Sequence, residues 1–496
     1  MKKLLLVVAI AAGAAIAPIA VSAAPGDPAP GFGTNGVVSG GLLDTYGPLA
    51  VDDEGRIVVL GRKASSIAIA RFAADGKPDT SFSGDGRAEL AITNHTAGLV
   101  DVRVLDDGSI VAIGRYQQTS DPFTNGLWSA KLTAAGAPAP GYGTSGVSLE
   151  AQGFVAHTEV GAIAPDGSAV IHQQALGGGI STRIGATGAF DTGDTMGGAP
   201  EPPSGCSSMG MGSPSVEATA FTDTGVVIVV SIATYDCGGS VASYLVVTGR
   251  TSATSAVAWA KLYPKQSEDW STSAAAVGSD VLLASGSKAA PQQIRRFAAD
   301  GTLVSTWGSS GTASAPAGFG YVGDMAELSS GRVVLVNGGH DPLSADPQPS
   351  TLLIEVLLPS GADDPEFDRV SVPLGGPFGG AGGSVHAAAT GDDILVTTTR
   401  ESGQSALRRF TGPAPVGPPI SGGGPVEPGA QLCFDVAGKP GDVALVNLTP
   451  VLASGPGDGQ LISSGLTPPE ASNVNFGPGS VDPNVAAAPI GADGKV

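Results

Sequence analysis

PAPGFGTNGVV, from Pro28 to Val38, contains GFGTNG, which fits the G-x-G-x-x-G spacing of a dinucleotide-binding turn. That reading requires a strand ahead of the first glycine and a helix opening at the last, because the helix N-terminus holds the pyrophosphate. Pro28 and Pro30 precede the glycines and the β-branched pair Val37-Val38 follows them, so the surroundings supply neither element. The string then returns as PAPGYGTSGVS at Pro138 to Ser148, which a structural repeat explains and a single cofactor site does not. The glycines read as turn punctuation, and no cofactor is expected.

A second motif fixes the period. An apolar strand, a Gly/Asp turn and a β-branched strand occur as AVDDEGRIVVLGR (50–62), VLDDGSIVAIGR (104–115) and AIAPDGSAVIHQQ (162–174). Weaker copies follow as AFTDTGVVIVVSI (220–232), AAAVGSDVLLASG (274–286), AELSSGRVVLVNGG (326–339) and AAATGDDILVTTTR (387–400). From the turn glycine of the first copy, Gly55, to that of the seventh, Gly391, six intervals average 56 residues. Hairpins at that period with no amphipathic helix between them are the signature of propeller blades. Third strands end in turns at 67–76, 127–136, 293–301 and 352–361. An aromatic residue then precedes a short fourth strand at Phe32, Phe82, Tyr142, Trp307 and Phe367. The last unit ends at Phe410-Thr411 after three strands, and the first begins with an orphan fourth strand at Gly36 to Ser39. The expected fold is therefore all-β: a seven-bladed β-propeller of four-stranded blades over 24–411, closed by the N-terminal strand, with a small incomplete β-module after it.

The turn KPDTSFSGDG, the strand GRIVVLGR and the strand IARFAADG resemble the delta-60 repeat family of exported bacterial propellers. The likeness is specific from Asp27 to Ala175 and again at Ile294 to Gly301, and it weakens between Gly177 and Lys261. It implies a secreted or surface-displayed scaffold and carries no catalytic motif with it.

The chain opens with Met1-Lys2-Lys3, an apolar run from Leu4 to Ala20, and Val21-Ser22-Ala23, the pattern of a signal peptide cleaved after residue 23. Loss of Lys2 and Lys3 leaves 23 basic side chains against 45 acidic ones. With no basic cluster beyond Arg295-Arg296 and Arg408-Arg409, each within an apolar run, nucleic acid is not an expected partner. Three cysteines in an exported chain point to oxidation, and Cys206 and Cys237 are expected to be bridged. A metal pair is the competing reading, but none of the five histidines lies near them. A Pro/Gly linker covers 412–430. Residues 431–496 look like a C-terminal β-module of actinobacterial-type secreted proteins. In that module GADGKV is usually followed by Cys and two further strands, so the fragment is expected to be incomplete and the odd Cys433 to lack its partner.

No nucleophile elbow, H-E-x-x-H, Walker loop or paired C-x-x-C is found. GADDPEFD places Asp363, Asp364, Glu366 and Asp368 within six residues, a weak calcium candidate set against the ordinary reading as a solvated acidic loop. The expected function is a monomeric, non-enzymatic, secreted or surface-displayed scaffold that binds an extracellular glycan or protein. The alternatives are an extracellular hydrolase or lyase with a loop-built site at the channel mouth, and a purely structural element of the envelope.

Overall fold

The computed structural model describes residues 23–413 except 93–94, 119–124, 154–158, 176–177, 196–201, 209–214, 252–256, 265–269, 287–290, 338–349, 377–383 and 401, and beyond them 443–448, 457–459, 474–476 and 484–489. The signal peptide (Ala23 apart), Cys433 and all but the first two residues of the linker lie outside these. The chain divides into two compact units, 1–415 and 416–496. In the second, Val443–Leu448 pairs antiparallel with Asn484–Pro489, and Gly457–Gly459 with Val474–Phe476.

The first unit is a seven-bladed β-propeller. Blade 1 runs outward through Thr45–Val51, Ile57–Lys63, Ser66–Phe72 and Arg87–Glu89, and blade 2 through His95–Val104, Ile110–Gln118, Asn125–Leu132 and Val147–Gly153. Blade 3 comprises Glu159–Ile163, Ala169–Ala175, Gly178–Ile184 and Phe190–Thr195. Blade 4 comprises Ser215–Phe221, Val226–Asp236, Val241–Thr251 and Val257–Pro264. Trp270–Val277, Asp280–Gly286, Gln293–Phe297 and Thr312–Ser314 form blade 5; Val322–Glu327, Val333–Asn337, Thr351–Leu357 and Val370–Pro373 form blade 6. Blade 7 has three strands of its own, Ser384–Thr390, Asp393–Thr399 and Ser405–Phe410, and Val37–Val38 from the other end of the domain adds the fourth. All pairings within the blades are antiparallel, and the innermost strand of each blade touches those of both neighbours, closing a ring. GFGTNG is a turn leading into strand Val37–Val38, in which Gly36 N–H donates to Phe32 O at 3.0 Å.

Each blade is apolar on both faces because it is covered on both. Val58 and Leu60 pack toward blade 2 with Ile110, Ala112 and Trp128, whereas Ile57 and Val59 pack toward blade 7 with Leu395 and Leu407. This two-sided burial, with alternate side chains pointing to opposite faces, is why the second strands read as unbroken apolar runs and not as alternating ones. In blades 1, 2, 5, 6 and 7 an aromatic residue before the fourth strand is buried between blades: Phe32, Phe82, Tyr142, Trp307 and Phe367 are all 5% exposed or less. Each lies on a glycine of the next blade's third-strand turn. A Cβ at Gly136 would sit 2.9 Å from the Phe82 ring, and one at Gly361 2.9 Å from Trp307.

Closure reproduces the ordinary junction between blades. Val37 and Val38 register with Arg408 and Leu407, while Gly26 N–H donates to Thr411 O at 2.7 Å and Ala29 N–H to Arg409 O at 2.9 Å. Arg409 Nη1 donates to Ala74 O at 2.7 Å across the 7–1 junction, the same reach that Arg71 Nη1 makes to Ala134 O at 2.6 Å across the 1–2 junction.

Blade 4 departs from the pattern. Its middle strands are 11 residues each, and Ser207–Ser208 pairs with Asp236 and Tyr235 as a fifth strand. The expected disulfide Cys206–Cys237 is formed and fastens this addition to the hairpin tip. Its half-cystines pack with Tyr244 and Leu262 against Ala233, Tyr235 and Val246.

Deleting residues 24–40 should expose two sheet edges and abolish the cooperative calorimetric transition of the propeller. An unchanged melting profile would refute closure by the N-terminal strand. Replacing both bridged cysteines by serine should lower stability by about 3–4 kcal/mol in the chain-entropy picture, given the separation of 31 residues, as read by urea denaturation of the oxidised wild type and the variant.

Candidate functional site

The two ends of the propeller differ in kind. At one end lie the hairpin turns between first and second strands and the turns between third and fourth. Here acidic side chains are spent on the backbone: Asp52 Oδ1 accepts from Glu54 and Arg56 N–H, Asp107 Oδ1 from Ser109 N–H, and Asp75 Oδ1 from Lys77 N–H, at 2.9–3.0 Å. These bonds, led by those from side chains, hold the Asp75, Asp107 and Asp300 carboxyls below the usual carboxylate value. Asp and Gly are in these turns for their shape.

The opposite end carries the links from second to third strand and from blade to blade, and these vary. The second-to-third link is residues 64–65 in blade 1, 237–240 in blade 4 and 338–350 in blade 6. The blade-to-blade link is 39–44 before blade 1 and 196–214 before the innermost strand of blade 4, apart from Ser207–Ser208. The disulfide stiffens this variable end.

Along the axis, the innermost strands of blades 1, 2, 4, 5 and 6 carry a bulge at one level. Asp101 follows the bulge of blade 2 and Asp324 that of blade 6; at the same level stand Ser273 in blade 5 and His386 in blade 7. Asp101 Oδ1 accepts from Val102 N–H at 2.8 Å and Oδ2 from Ile163 N–H of blade 3 at 3.1 Å. Asp324 repeats the device, accepting from Met325 N–H at 2.8 Å and from Ala387 N–H of blade 7 at 2.9 Å. Both side chains retain some contact with channel solvent but are otherwise enclosed by protein. Burial pushes Asp101 up to about 7, the Asp324 charge adding to it, and pushes Asp324 up to about 6. Burial also takes His386 down to about 4, so this ring is neutral at pH 7, and its Nδ1 stays 3.9 Å from Asp324 Oδ2. A carboxyl poised near 7 suits a general base. Both Asp101 oxygens are nevertheless engaged by amides, and the geometry is that of a clip joining successive innermost strands.

The calcium candidates fall elsewhere. Asp364, buried, pairs with the buried Arg332 at 2.7 Å, and Glu366 reaches the same guanidinium at 3.2 Å. Asp363 and Asp368 are exposed. The arrangement is an ion pair between the second strand and the fourth-strand turn of blade 6, and no three acidic, imidazole or thiolate groups gather as metal ligands among the described residues. Sequence reasoning missed Asp101 and Asp324. Aligning the innermost strands GLVDVRV and YVGDMAE by their hairpins would have shown a carboxylate at a shared inward level.

No protein-family model matches the chain, and no curated protein matches it. Solved structures similar to it include virginiamycin B lyase from Staphylococcus aureus, at 9% identity over 75% of this chain and 98% of that one, with a TM-score of 0.40. The polysaccharide lyase Uly1 is similar at 9% identity over 75% and 91%, TM-score 0.39, and YCF48 from Cyanidioschyzon merolae at 10% over 76% and 98%, TM-score 0.41. Likenesses of this degree assign no chemistry. Among the described residues no helix is long and apolar enough to cross a membrane.

Asp101 makes stability depend on pH with a definite sign. Between the ordinary carboxyl value of 3.8 and about 7 the folded chain holds a proton that the unfolded chain has lost. The contribution of Asp101 is therefore greatest below about 4, falls as pH rises through this window, and is constant above it. Relative to Asp101→Asn, the wild type should lose up to about 1.4 kcal/mol per pH unit from pH 4 to 7 in urea titrations. A difference that stays flat across that range would contradict the raised value.

Proposed function

We propose that this protein is a non-enzymatic binding scaffold of the exported kind, presenting the variable end of its propeller to an extracellular glycan or protein. The observation that carries this reading is the asymmetry of the two ends. At one end the links between first and second strands are two to five residues long and the third-to-fourth links recur at the same length in blades 1, 2 and 5 (73–86, 133–146 and 298–311), while links ranging from two residues (64–65) to the span 338–350 occupy the other. Binding surfaces are commonly built on variable loops held by a rigid framework. The Cys206–Cys237 bridge supports an oxidising compartment. The repeated turn and strand residues support membership of the delta-60 repeat propellers. The rival hydrolase or lyase would draw on Asp101, whose carboxyl lies near the pH at which a base is useful.

A glycan and protein array probed with the full exported chain, with and without calcium, tests the proposal. Binding without turnover is expected, and replacing 338–350 by a two-residue turn should reduce it at least tenfold while leaving the melting temperature unchanged. Turnover of an arrayed glycan that Asp101→Asn abolishes would favour the enzyme. Binding to neither array would overturn the scaffold reading.

A further inference from the structure

The gaps between blades are lined mainly by apolar side chains at repeated levels, and the 3–4 gap carries a histidine and an arginine at two of these levels. Three residues beyond the second-strand residue that registers with the end of the third strand stand Leu60, Ile113, Val230, Ala284 and Val336 in blades 1, 2, 4, 5 and 6 and Thr397 in blade 7, all buried. Blade 3 has His172 at this level, 1% exposed. Opposite the start of the second strand, the third strand places Phe72, Leu132, Ile184, Phe297, Leu357 and Phe410 in six blades. Blade 4 has Arg250 there, 5% exposed and registered with Val227.

Both substitutions face the same gap. His172 shares its face with Val170, and Arg250 shares its face with Val227; Val170 and Val227 pack together between blades 3 and 4. Ser181 stands directly opposite His172, and Ser231 and Thr248 line the blade 4 side; all three are buried. The Ser181 hydroxyl is 2.7 Å from His172 Nδ1, whereas His172 Nε2 has no partner. Either tautomer leaves Nε2 unmet, an arrangement that buried polar groups avoid unless something else completes it. The strand carrying Arg250 also slips register between Gly249 and Arg250, a bulge of the kind that re-aims a side chain.

We propose that the gap between blades 3 and 4 binds a small oxyanion, with the Arg250 guanidinium supplying the charge and His172 donating through Nε2. A guanidinium matches the geometry of carboxylate and phosphate oxygens. Donation from Nε2 fits the tautomer in which the Ser181 hydroxyl donates to Nδ1. Burial, with the Arg250 charge, holds His172 down to about 3, so the imidazole stays neutral at physiological pH and the site has the same character from pH 5 to 8.

The test uses the full exported chain and inorganic phosphate, sulfate and acetate, each against chloride at matched ionic strength. The wild type should melt several degrees higher with at least one of them, and the rise should saturate, as site binding requires and general salting-out does not. Phosphate and sulfate against acetate separates a tetrahedral ligand from a carboxylate. The double variant His172→Ile, Arg250→Leu restores the side chains found at the same levels in blade 2, Ile113 and Leu132, and should melt cooperatively with the saturable rise lost. If that variant fails to fold, the His172 Nε2 nitrogen resonance of the wild type replaces it as the readout and should shift on adding the anion. An equal response in wild type and variant, no saturable response in the wild type, or a resonance that does not move would overturn the site.

Discussion

The ring depends on a contact between an aromatic side chain and a glycine of the following blade. A four-stranded sheet with apolar residues on both faces has no stable existence by itself and gains it only by stacking. Stacking alone leaves the distance and angle between blades loosely set. The aromatic plane laid on a bare Cα sets them, because any side chain at the glycine would collide with the ring. Phe32 meets Gly76, Phe82 meets Gly136, Tyr142 meets Gly188 and Trp307 meets Gly361 in this way. The same glycines hold φ between +80° and +84°, conformations open to few other residues. Conformational and packing requirements thus coincide at one atom in each of these junctions. Blade 4 has no aromatic at the usual turn among its described residues, and Trp259 of its fourth strand takes over, covering Gly301 and donating from Nε1 to Ala299 O at 2.9 Å.

Ring closure follows from that constraint. If blade 7 ended with its own three strands, Phe367 of blade 6 would have no turn to rest against. The chain supplies Gly26 from the opposite end, where φ is +86° and an added Cβ would lie 2.9 Å from Val370 and 3.7 Å from the Phe367 ring. The N-terminal segment therefore does more than add a strand. It delivers the turn glycine for junction 6–7, the aromatic Phe32 for junction 7–1 and the strand Val37–Val38, in the order an uninterrupted blade would. Neither terminal segment has a place to bury its apolar side chains without the other, so closure couples the first and last blades across nearly 400 residues of chain.

The features legible in the sequence are those the ring contact imposes. All seven hairpins stand where the β-branched runs put them, and the orphan strand at Gly36 to Ser39 pairs with Leu407 because its period left no other vacancy. The Cys206–Cys237 bridge was legible from compartment and proximity alone. The fifth strand of blade 4 was not, since two serines carry no periodicity. The clips at Asp101 and Asp324 were also hidden: a carboxylate in an apolar strand normally argues for a solvated face, and only the bulge turns it toward the neighbouring backbone. His172 and Arg250 stand out only by register, the first beside residues such as Leu60 and Ile113 at its level and the second beside the Phe, Leu and Ile residues at its own.

Charge is apportioned by the same logic. The excess of acidic residues suggests a cation-binding or basic partner surface, but many of these carboxylates are committed to the fold. Those of the hairpin turns cap backbone amides, and those of the rim neutralise arginines: Asp79 with Arg71, Asp280 with Arg296, Asp364 with Arg332 and Asp393 with Arg409. The pairs exchange polarity between strands from blade to blade while the ion pair itself persists, as expected where the requirement is a neutral rim and not a particular residue. Asp101 and Asp324 on the innermost strands are held by amides and drawn toward their neutral forms. What remains for recognition is the end of the ring where the repeat imposes neither length nor residue type, together with the 3–4 gap, where His172 and Arg250 stand at levels that are apolar in most other blades.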